Sequence, residues 1–196
     1  MLNGELQCAA QFGRLEKVIA FLTDGRCSCA DKAEALHIAV QRCHQEIAIV
    51  LITFGANPNC YAFHTSVKKG YVNVVRAMLD VDVNVHCCED ISLYHAVSCS
   101  NLEIIEMLLA ADINFRVREN IAMRQALSNG KLEVVKCLAL KYTIKELEDI
   151  QKELRSPLLA EVIDLCRPRG LHTKAALREP QTLAALCEPQ PTPVDE

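Results

Sequence analysis

Apolar residues between Leu36 and Asn59 fall at the spacing of two short amphipathic helices. Leu36 is followed by Ala39 and Val40, which places all three on one helical face. The same spacing returns in a second group, which comprises Ile47, Ala48, Leu51 and Ile52. Gly55 and the Asn-Pro-Asn sequence after Ala56 then favour a helix end and a turn. The stretch therefore predicts a unit of two helices and a loop.

This unit recurs along the chain. Positions equivalent to Leu36 follow one another at intervals of 30, 27, 30 and 30 residues, namely Leu6, Leu36, Phe63, Leu93 and Met123. The turn between the two helices falls at Gly13, Cys43, Gly70, Ser100 and Gly130. Three of these five are glycine, which tolerates a left-handed backbone. The internal repeat predicts an all-α solenoid of five stacked helix pairs.

Short motifs within the units carry a family resemblance. They are Leu36-His37-x-Ala39, Phe63-His64-x-Ser66, Gly55-Ala56-Asn57-x-Asn59 and Asp82-x-Asn84. These motifs resemble the ankyrin-repeat family, whose units join two antiparallel helices to a β-turn finger and carry a Thr-Pro-Leu-His-x-Ala motif. The resemblance covers roughly residues 3–140. The Thr-Pro pair is missing from every unit and the units are short, so we expect shortened β-turn fingers.

The chain divides into three predicted segments. Five repeats occupy approximately residues 1–30, 31–58, 59–87, 88–117 and 118–140. Thr143 with Glu146 has the spacing of a capping box, and Ser156-Pro157 is typical of a second helix start, so residues 141–166 should form a helical C-terminal cap. Residues 167–196 contain several prolines and an acidic end, which predicts a flexible tail.

Composition narrows the class of protein. A net charge of −4 disfavours a general nucleic-acid binder. No apolar run approaches the roughly 18 residues that a membrane span requires, and residues 1–5 show no signal-peptide pattern. We therefore expect a monomer in the cytoplasm or also in the nucleus, with no nucleic-acid or membrane partner and no cofactor.

The chain has 11 cysteines, which could form disulfides, bind a metal or remain free. Several fall inside helical units, so we expect buried free thiols: Cys8, Cys43, Cys99, Cys137 and Cys166. A zinc site would have to combine ligands from separate units, drawn from Cys27, Cys29, Cys60, His86, Cys87 and Cys88. Packed helices lie roughly 8–10 Å apart, whereas a zinc–sulfur bond is about 2.3 Å. We therefore predict no metal, and a redox- or metal-sensing role rests on cysteine number alone.

Other polar residues have structural interpretations. The resemblance implies that His37, His44 and His64 are hydrogen-bonding groups of the fold. Lys17, Gln7 and Gln11 make the first repeat more polar, as expected of a terminal repeat that faces solvent. Cys99 and His95 are four residues apart, but one such pair is far short of a catalytic arrangement. The chain also lacks phosphate-loop and hydrolase motifs, so we predict that it is not an enzyme.

The resemblance implies a protein-binding surface made from the first helices' variable positions and the finger tips. The matching residues are Phe12, Arg42, Lys68, Lys69, Cys99, Arg116, Arg118 and Asn129. Arg42, Lys68 and Lys69 together predict a basic patch that binds an acidic segment of a partner protein. An ordinary solvated charge cluster is the alternative.

Two further hypotheses concern a single asparagine and the tail. The segment around Asn84 resembles the ankyrin fingers that asparaginyl hydroxylases modify, although Asn84 can equally be a turn residue. Ankyrin arrays also occur in substrate-reading adaptors and in host-directed effectors, which would act in the host cytosol. In that alternative the C-terminal segment would recruit a ubiquitin ligase, although Leu165-Cys166-Arg167 matches only a fragment of a SOCS box.

Overall fold

The computed structural model describes residues 4–86 and 90–167 of the chain. All the regular secondary structure in these two ranges is helical, which confirms the predicted all-α class. The helices are α1 (Glu5–Gln11), α2 (Leu15–Thr23), α3 (Cys29–Gln41), α4 (Gln45–Thr53), α5 (Cys60–Lys69), α6 (Val72–Asp80), α7 (Ser92–Ser98), α8 (Leu102–Ala110), α9 (Val117–Asn129), α10 (Leu132–Ala139), α11 (Ile144–Leu154) and α12 (Pro157–Cys166).

The helices pack as a repeating series of pairs. In each of the first four pairs the two helices contact each other, as in α1 with α2 and α3 with α4. First helices also pack on first helices, from α1 through α3 and α5 to α7, and second helices on second helices, from α2 through α4 and α6 to α8. This arrangement confirms the predicted repeat solenoid. The chain divides into two compact units between Ala126 and Leu127, within α9.

The buried positions follow the predicted pattern. The equivalents of Leu36 are all buried. The second-helix positions that match Ile47, Ala48, Leu51 and Ile52 are also buried wherever they hold an apolar residue, except Phe21 and Leu79, which are half-buried. The largest fully buried side chains include Leu6, Leu36, Leu51, Phe63, Met78, Leu93, Ile104, Leu108 and Met123. Each side chain of this size contributes about 1.5–3 kcal/mol when it leaves water. Burial of one helical face in every repeat therefore holds the stack together.

The turns within the pairs share one backbone conformation. All five predicted turn residues are left-handed, with φ of 70° at Gly13, 70° at Cys43, 73° at Gly70, 52° at Ser100 and 64° at Gly130. In the first four turns the residue after the left-handed one donates its N–H to a carbonyl five positions earlier, as from His44 to Ala39 at 2.9 Å. This bond satisfies a helix-end carbonyl and needs the left-handed residue before it. Cys43 and Ser100 therefore adopt the same left-handed conformation as the glycines, although a side chain there makes it about 1–2 kcal/mol less favourable.

Helix α3 begins earlier than the apolar pattern indicates. Ser28 Oγ accepts a hydrogen bond from the N–H of Asp31 at 3.1 Å, and Asp31 Oδ2 accepts one from the N–H of Ser28 at 3.0 Å. This capping box stabilises the first turn of the helix. Hydrogen bonds from Ser28 also lower the pKa of Asp31. Cys29, one of the candidate zinc ligands, is therefore the first residue of α3.

The helices after the repeats begin where the sequence predicts. Thr143 Oγ1 accepts a hydrogen bond from the N–H of Glu146 at 3.3 Å, and Glu146 accepts one from the N–H of Thr143 at 2.8 Å. Ser156 Oγ accepts from the N–H of Leu159 at 3.4 Å. Helices α11 and α12 pack on each other, and α12 also packs on α10. Residues 168–196, which make up most of the predicted tail, lie outside the described part of the chain.

Candidate protein-binding site

Five of the predicted binding residues occupy equivalent places at the C-terminal ends of the first helices. They are Phe12 after α1, Arg42 after α3, Lys68 and Lys69 at the end of α5, and Cys99 after α7. All five are exposed. Because α1, α3, α5 and α7 pack on one another in order, these residues form one series, which we call the helix-end row.

Hydrogen bonds between neighbouring repeats join this row. His44 Nε2 lies 3.3 Å from the carbonyl of Gln11, and since a carbonyl only accepts, Nε2 carries the proton. Lys69 Nζ donates to the carbonyl of Gln41 at 2.6 Å, and Cys99 Sγ donates to that of Lys68 at 3.4 Å. The last carbonyls of a helix have no partner within it. Each repeat thus satisfies a carbonyl at the end of the preceding first helix.

Lys69 has a structural role that the sequence does not reveal. Its ammonium also lies 3.3 Å from the carbonyl of Val40 and 3.3 Å from the sulfur of Cys43. We predicted Lys69 as a docking group, but it binds the C-terminal end of α3. Arg42 and Lys68 form no salt bridge within residues 4–86 and 90–167, which leaves them as the available cations of the row.

The thiol of Cys43 lies in a polar cluster with two residues of the next repeat. The Tyr71 hydroxyl and the Lys69 ammonium both hydrogen-bond to it and lower the pKa of Cys43. Burial, together with the bond to Cys43, raises the pKa of Tyr71 to about 12. The sequence analysis missed this cluster, because nothing in the repeat pattern indicates that Lys69 turns back toward α3.

Histidine rings form a second polar cluster inside the first unit. The rings of His64 and His95 meet edge to face with their centroids 4.5 Å apart. Partial burial is the main cause that lowers the pKa of both, with the Lys68 charge adding to it. The His95 ring contacts His64, whereas the Cys99 thiol donates to the carbonyl of Lys68. The two side chains are therefore directed at different groups and do not form a catalytic pair.

The predicted hydrogen-bonding role of the histidines is only partly correct. His44 bonds to the preceding repeat as described, but the buried Nδ1 atoms of His37 and His64 have no hydrogen-bond partner among the described residues. His37 instead meets the ring of Tyr61 edge to face, with centroids 4.7 Å apart. Glu34-Ala35 and Tyr61-Ala62 stand where the family motif has its Thr-Pro pair.

The prediction of buried thiols is wrong for most of the cysteines it named. Cys8, Cys43 and Cys99 are exposed, and Cys137 and Cys166 are half-buried. Cys43 and Cys99 follow the last turn of a first helix, where the chain faces solvent. Every cysteine that the structure describes is free of disulfides. Cys87 and Cys88 lie outside the described residues, and elsewhere no group of three or more His, Cys, Asp or Glu side chains is placed to hold a metal ion.

Gln7 is also placed differently from the prediction. It is buried, with 8% of its surface exposed, and donates to Glu34 at 3.4 Å instead of facing solvent. Lys17 and Gln11 are exposed, as expected of a terminal repeat. The first repeat is therefore polar on only part of the surface that we assigned to solvent.

The remaining predicted residues are not at the ends of α1, α3, α5 or α7. Arg116 and Arg118 are exposed, the first just before α9 and the second in its first turn, and the Arg116 guanidinium lies 4.3 Å from the centre of the Phe115 ring. The backbone is left-handed from Arg118 to Asn120. Asn129 is the last residue of α9, in the second unit. The row therefore comprises five of the eight predicted binding residues.

Asn84 is a turn residue, as one of its two interpretations proposed. Its Oδ1 accepts a hydrogen bond from the N–H of His86 at 3.0 Å. Asn114, thirty residues later in the repeat, accepts one from the N–H of Arg116 at 3.1 Å. Asn84 is exposed, and its hydroxylation stays a prediction.

The architecture is that of a helical repeat protein in which successive helix pairs stack in register. Comparison with protein families places the repeats in a known class: a model for ankyrin repeats in three copies matches residues 51–119, and a model for a single ankyrin repeat matches residues 31–62. Residues 31–119 thus match ankyrin-repeat models, and such repeats generally mediate protein–protein interaction. A search of curated proteins found no match to the chain. Across the described helices, none combines the length and apolar character needed to cross a membrane.

Proposed function

We propose that the chain is a non-catalytic binding module whose helix-end row docks an acidic segment of a partner protein. The observation that carries this proposal is the continuity of the row across four repeats, maintained by hydrogen bonds from one repeat to the next. A peptide laid along this row would contact several repeats at once. Phe12, with 62% of its surface exposed, offers an aromatic contact at one end.

The charges of the row support an acidic ligand. Arg42 and Lys68 are exposed and bear no salt bridge in the described part of the chain, so a carboxylate can approach them without displacing an existing partner. The protein as a whole has a net charge of −4. The local basic group therefore attracts an acidic ligand to this row and orients it there, whereas the net negative charge of the protein disfavours binding elsewhere.

The structure also determines which substitutions test the proposal. Reversing the charge of Lys69 would break its bonds to α3, so a loss of binding could follow from a loss of stability. The double variant Arg42→Glu/Lys68→Glu keeps Lys69 and changes only the available cations. A matched control is Lys17→Glu/Lys141→Glu, which makes the same change of net charge at two other exposed lysines.

The binding probe is a fluorescent peptide rich in Asp and Glu, compared with a peptide of the same length rich in Lys and Arg. We expect only the acidic peptide to bind in fluorescence anisotropy, and we expect Arg42→Glu/Lys68→Glu to weaken it by about tenfold or more, since each reversal replaces attraction by repulsion. The control variant should bind as the unaltered chain does. Equal binding by both double variants would rule out the helix-end row as the docking site.

A capture experiment extends this test to natural partners. Immobilised unaltered chain, Arg42→Glu/Lys68→Glu and the control variant are exposed to the same cell lysate and the retained proteins are quantified by mass spectrometry. Proteins bound by the unaltered chain and the control, but not by the row variant, are the partners that the proposal expects. Such binding should weaken with added salt, because screening reduces attraction between exposed charges.

A further inference from the structure

Cys43 occupies an unusual position for a reactive side chain. It lies in the turn between α3 and α4 with a left-handed φ of 70°, and it is exposed. The hydrogen bond from the His44 N–H to the Ala39 carbonyl fixes the backbone beside it. Cys43 is thus an exposed residue on a turn whose backbone is held by a hydrogen bond.

The next repeat supplies a cation at this sulfur. Lys69 Nζ lies 3.3 Å from Cys43 Sγ and is held there by bonds to the carbonyls of Gln41, at 2.6 Å, and Val40, at 3.3 Å. The Tyr71 hydroxyl hydrogen-bonds to the same sulfur. An ammonium and a hydroxyl donor both stabilise a thiolate relative to a thiol. The contacts of Cys43 are therefore those of an activated cysteine.

The contrast with another exposed cysteine sharpens this point. Cys99 follows α7 as closely as Arg42 follows α3, but its sulfur donates to the Lys68 carbonyl at 3.4 Å. A carbonyl oxygen can only accept, so this contact favours the protonated thiol. Of these two exposed thiols, Cys43 thus lies next to hydrogen-bond donors, whereas Cys99 donates to an acceptor.

We propose that Cys43 is a modification site at which a hydroperoxide oxidises the thiolate and a low-molecular-weight thiol such as glutathione then forms a mixed disulfide. In the first step the thiolate sulfur attacks the terminal peroxide oxygen, an S–O bond forms and the O–O bond breaks, giving the sulfenic acid, and the departing hydroxide or alkoxide takes a proton from solvent to become water or an alcohol. In the second step the small thiol attacks the sulfenic sulfur, an S–S bond forms, and the hydroxyl group leaves with the thiol's proton as water.

The reactivity test uses the folded full-length chain and limiting iodoacetamide. Peptide mass spectrometry with fragment ions follows alkylation of Cys43, and of Cys8 and Cys29 as exposed internal controls. A more stable thiolate is a weaker nucleophile, so a tenfold increase in the thiolate fraction raises the alkylation rate only about threefold. We expect Cys43 to react at least about threefold faster than the two controls near neutral pH, and its pH–rate midpoint to lie below theirs.

Variants of the neighbouring groups separate activation from simple exposure. Lys69→Met should slow Cys43 to the rate of the control cysteines and raise its pH–rate midpoint, whereas Lys69→Arg should retain most of the effect. Tyr71→Phe, which keeps the ring, should give a smaller loss and serves if Lys69→Met fails to fold by circular dichroism. Equal rates at Cys43, Cys8 and Cys29, unchanged by any of these variants, would overturn the proposal.

A second measurement tests the chemistry itself. The chain is treated with hydrogen peroxide in the presence of dimedone, which traps sulfenic acids, and in a parallel sample with glutathione. The Cys43 peptide should gain the dimedone adduct or the glutathione disulfide before the peptides of Cys8 and Cys29. Earlier labelling of either control would contradict the proposal. Neither measurement needs a binding partner, so both are independent of the proposed function.

Discussion

The C-terminal ends of the first helices in the repeats and the N-terminal ends of α11 and α12 are completed in different ways. In the repeats, the carbonyls of Gln11, Gln41 and Lys68 receive hydrogen bonds from side chains of the next repeat. In α11 and α12, the capping bonds of Thr143 and Ser156 reach residues three positions away. The ends of the first helices therefore depend on the neighbouring repeat, whereas the starts of α11 and α12 are specified locally. Substitutions can test how strongly this difference affects stability.

The largest effect is expected from the buried contacts that repeats share. Phe63 is fully buried in α5, and Phe63→Ala should lower the free energy of unfolding by about 3–5 kcal/mol through lost burial and the cavity left behind. Urea unfolding followed by circular dichroism measures this change. Phe12→Ala is the matched control: Phe12 is 62% exposed, so its change should stay within about 0.5 kcal/mol. Similar losses from both variants would show that the repeats are not held by this core.

A smaller effect should separate a contact between repeats from strain within a turn. Gly13 and Gly130 are equivalent left-handed turn residues, and alanine there costs about 1–2 kcal/mol. A Cβ at Gly13 would lie 2.7 Å from the ring of His44 in the next repeat, whereas at Gly130 it meets no described atom within 4 Å. Gly13→Ala should therefore destabilise more than Gly130→Ala in the same urea experiment. Equal losses would mean that the His44 contact adds nothing to stability.

The smallest effect concerns pH. The folded state lowers the pKa of His64 and His95 below the ordinary 6.5. Their neutral rings therefore contribute fully to folding stability above pH 6.5, and this contribution is lost as pH falls through the lowered pKa values. In α11 the hydrogen bond from Lys152 lowers the pKa of Asp149, whose ordinary value is 3.8, so stability is lost there only in stronger acid. Thermal unfolding should thus become easier between about pH 7 and pH 5.

The matched variant for this pH effect is His95→Gln, which cannot take up a proton near neutral pH. Its melting temperature should change less than that of the unaltered chain over the same interval, because one of the two histidines no longer titrates. If the melting temperature of His95→Gln changed with pH as steeply as that of the unaltered chain, the pH dependence would belong to other groups.

Most positions of the helix-end row could be identified from the sequence, but not the contacts of each residue in it. The repeat spacing selected Phe12, Arg42 and Lys68 as variable positions of the first helices, and the structure has them exposed at helix ends, whereas Cys99 was also expected to be a buried thiol and is exposed. It could not show that Lys69 binds α3, because a long flexible side chain can point outward or toward the preceding repeat from the same helical position. The burial of Gln7 and the exposure of Cys43 depend in the same way on what the adjacent repeat provides.

The sequence by itself determined the period of the repeats, the buried face of each helix, the left-handed turns and the capping box at Thr143. These features depend on local geometry, since the helical period and the backbone preferences of glycine act over a few residues. Only the tertiary structure decided which polar groups meet across repeats, including Lys69 with Cys43 and His64 with His95. The residues in these contacts are 26 and 31 positions apart, a separation at which no periodic pattern specifies side-chain direction.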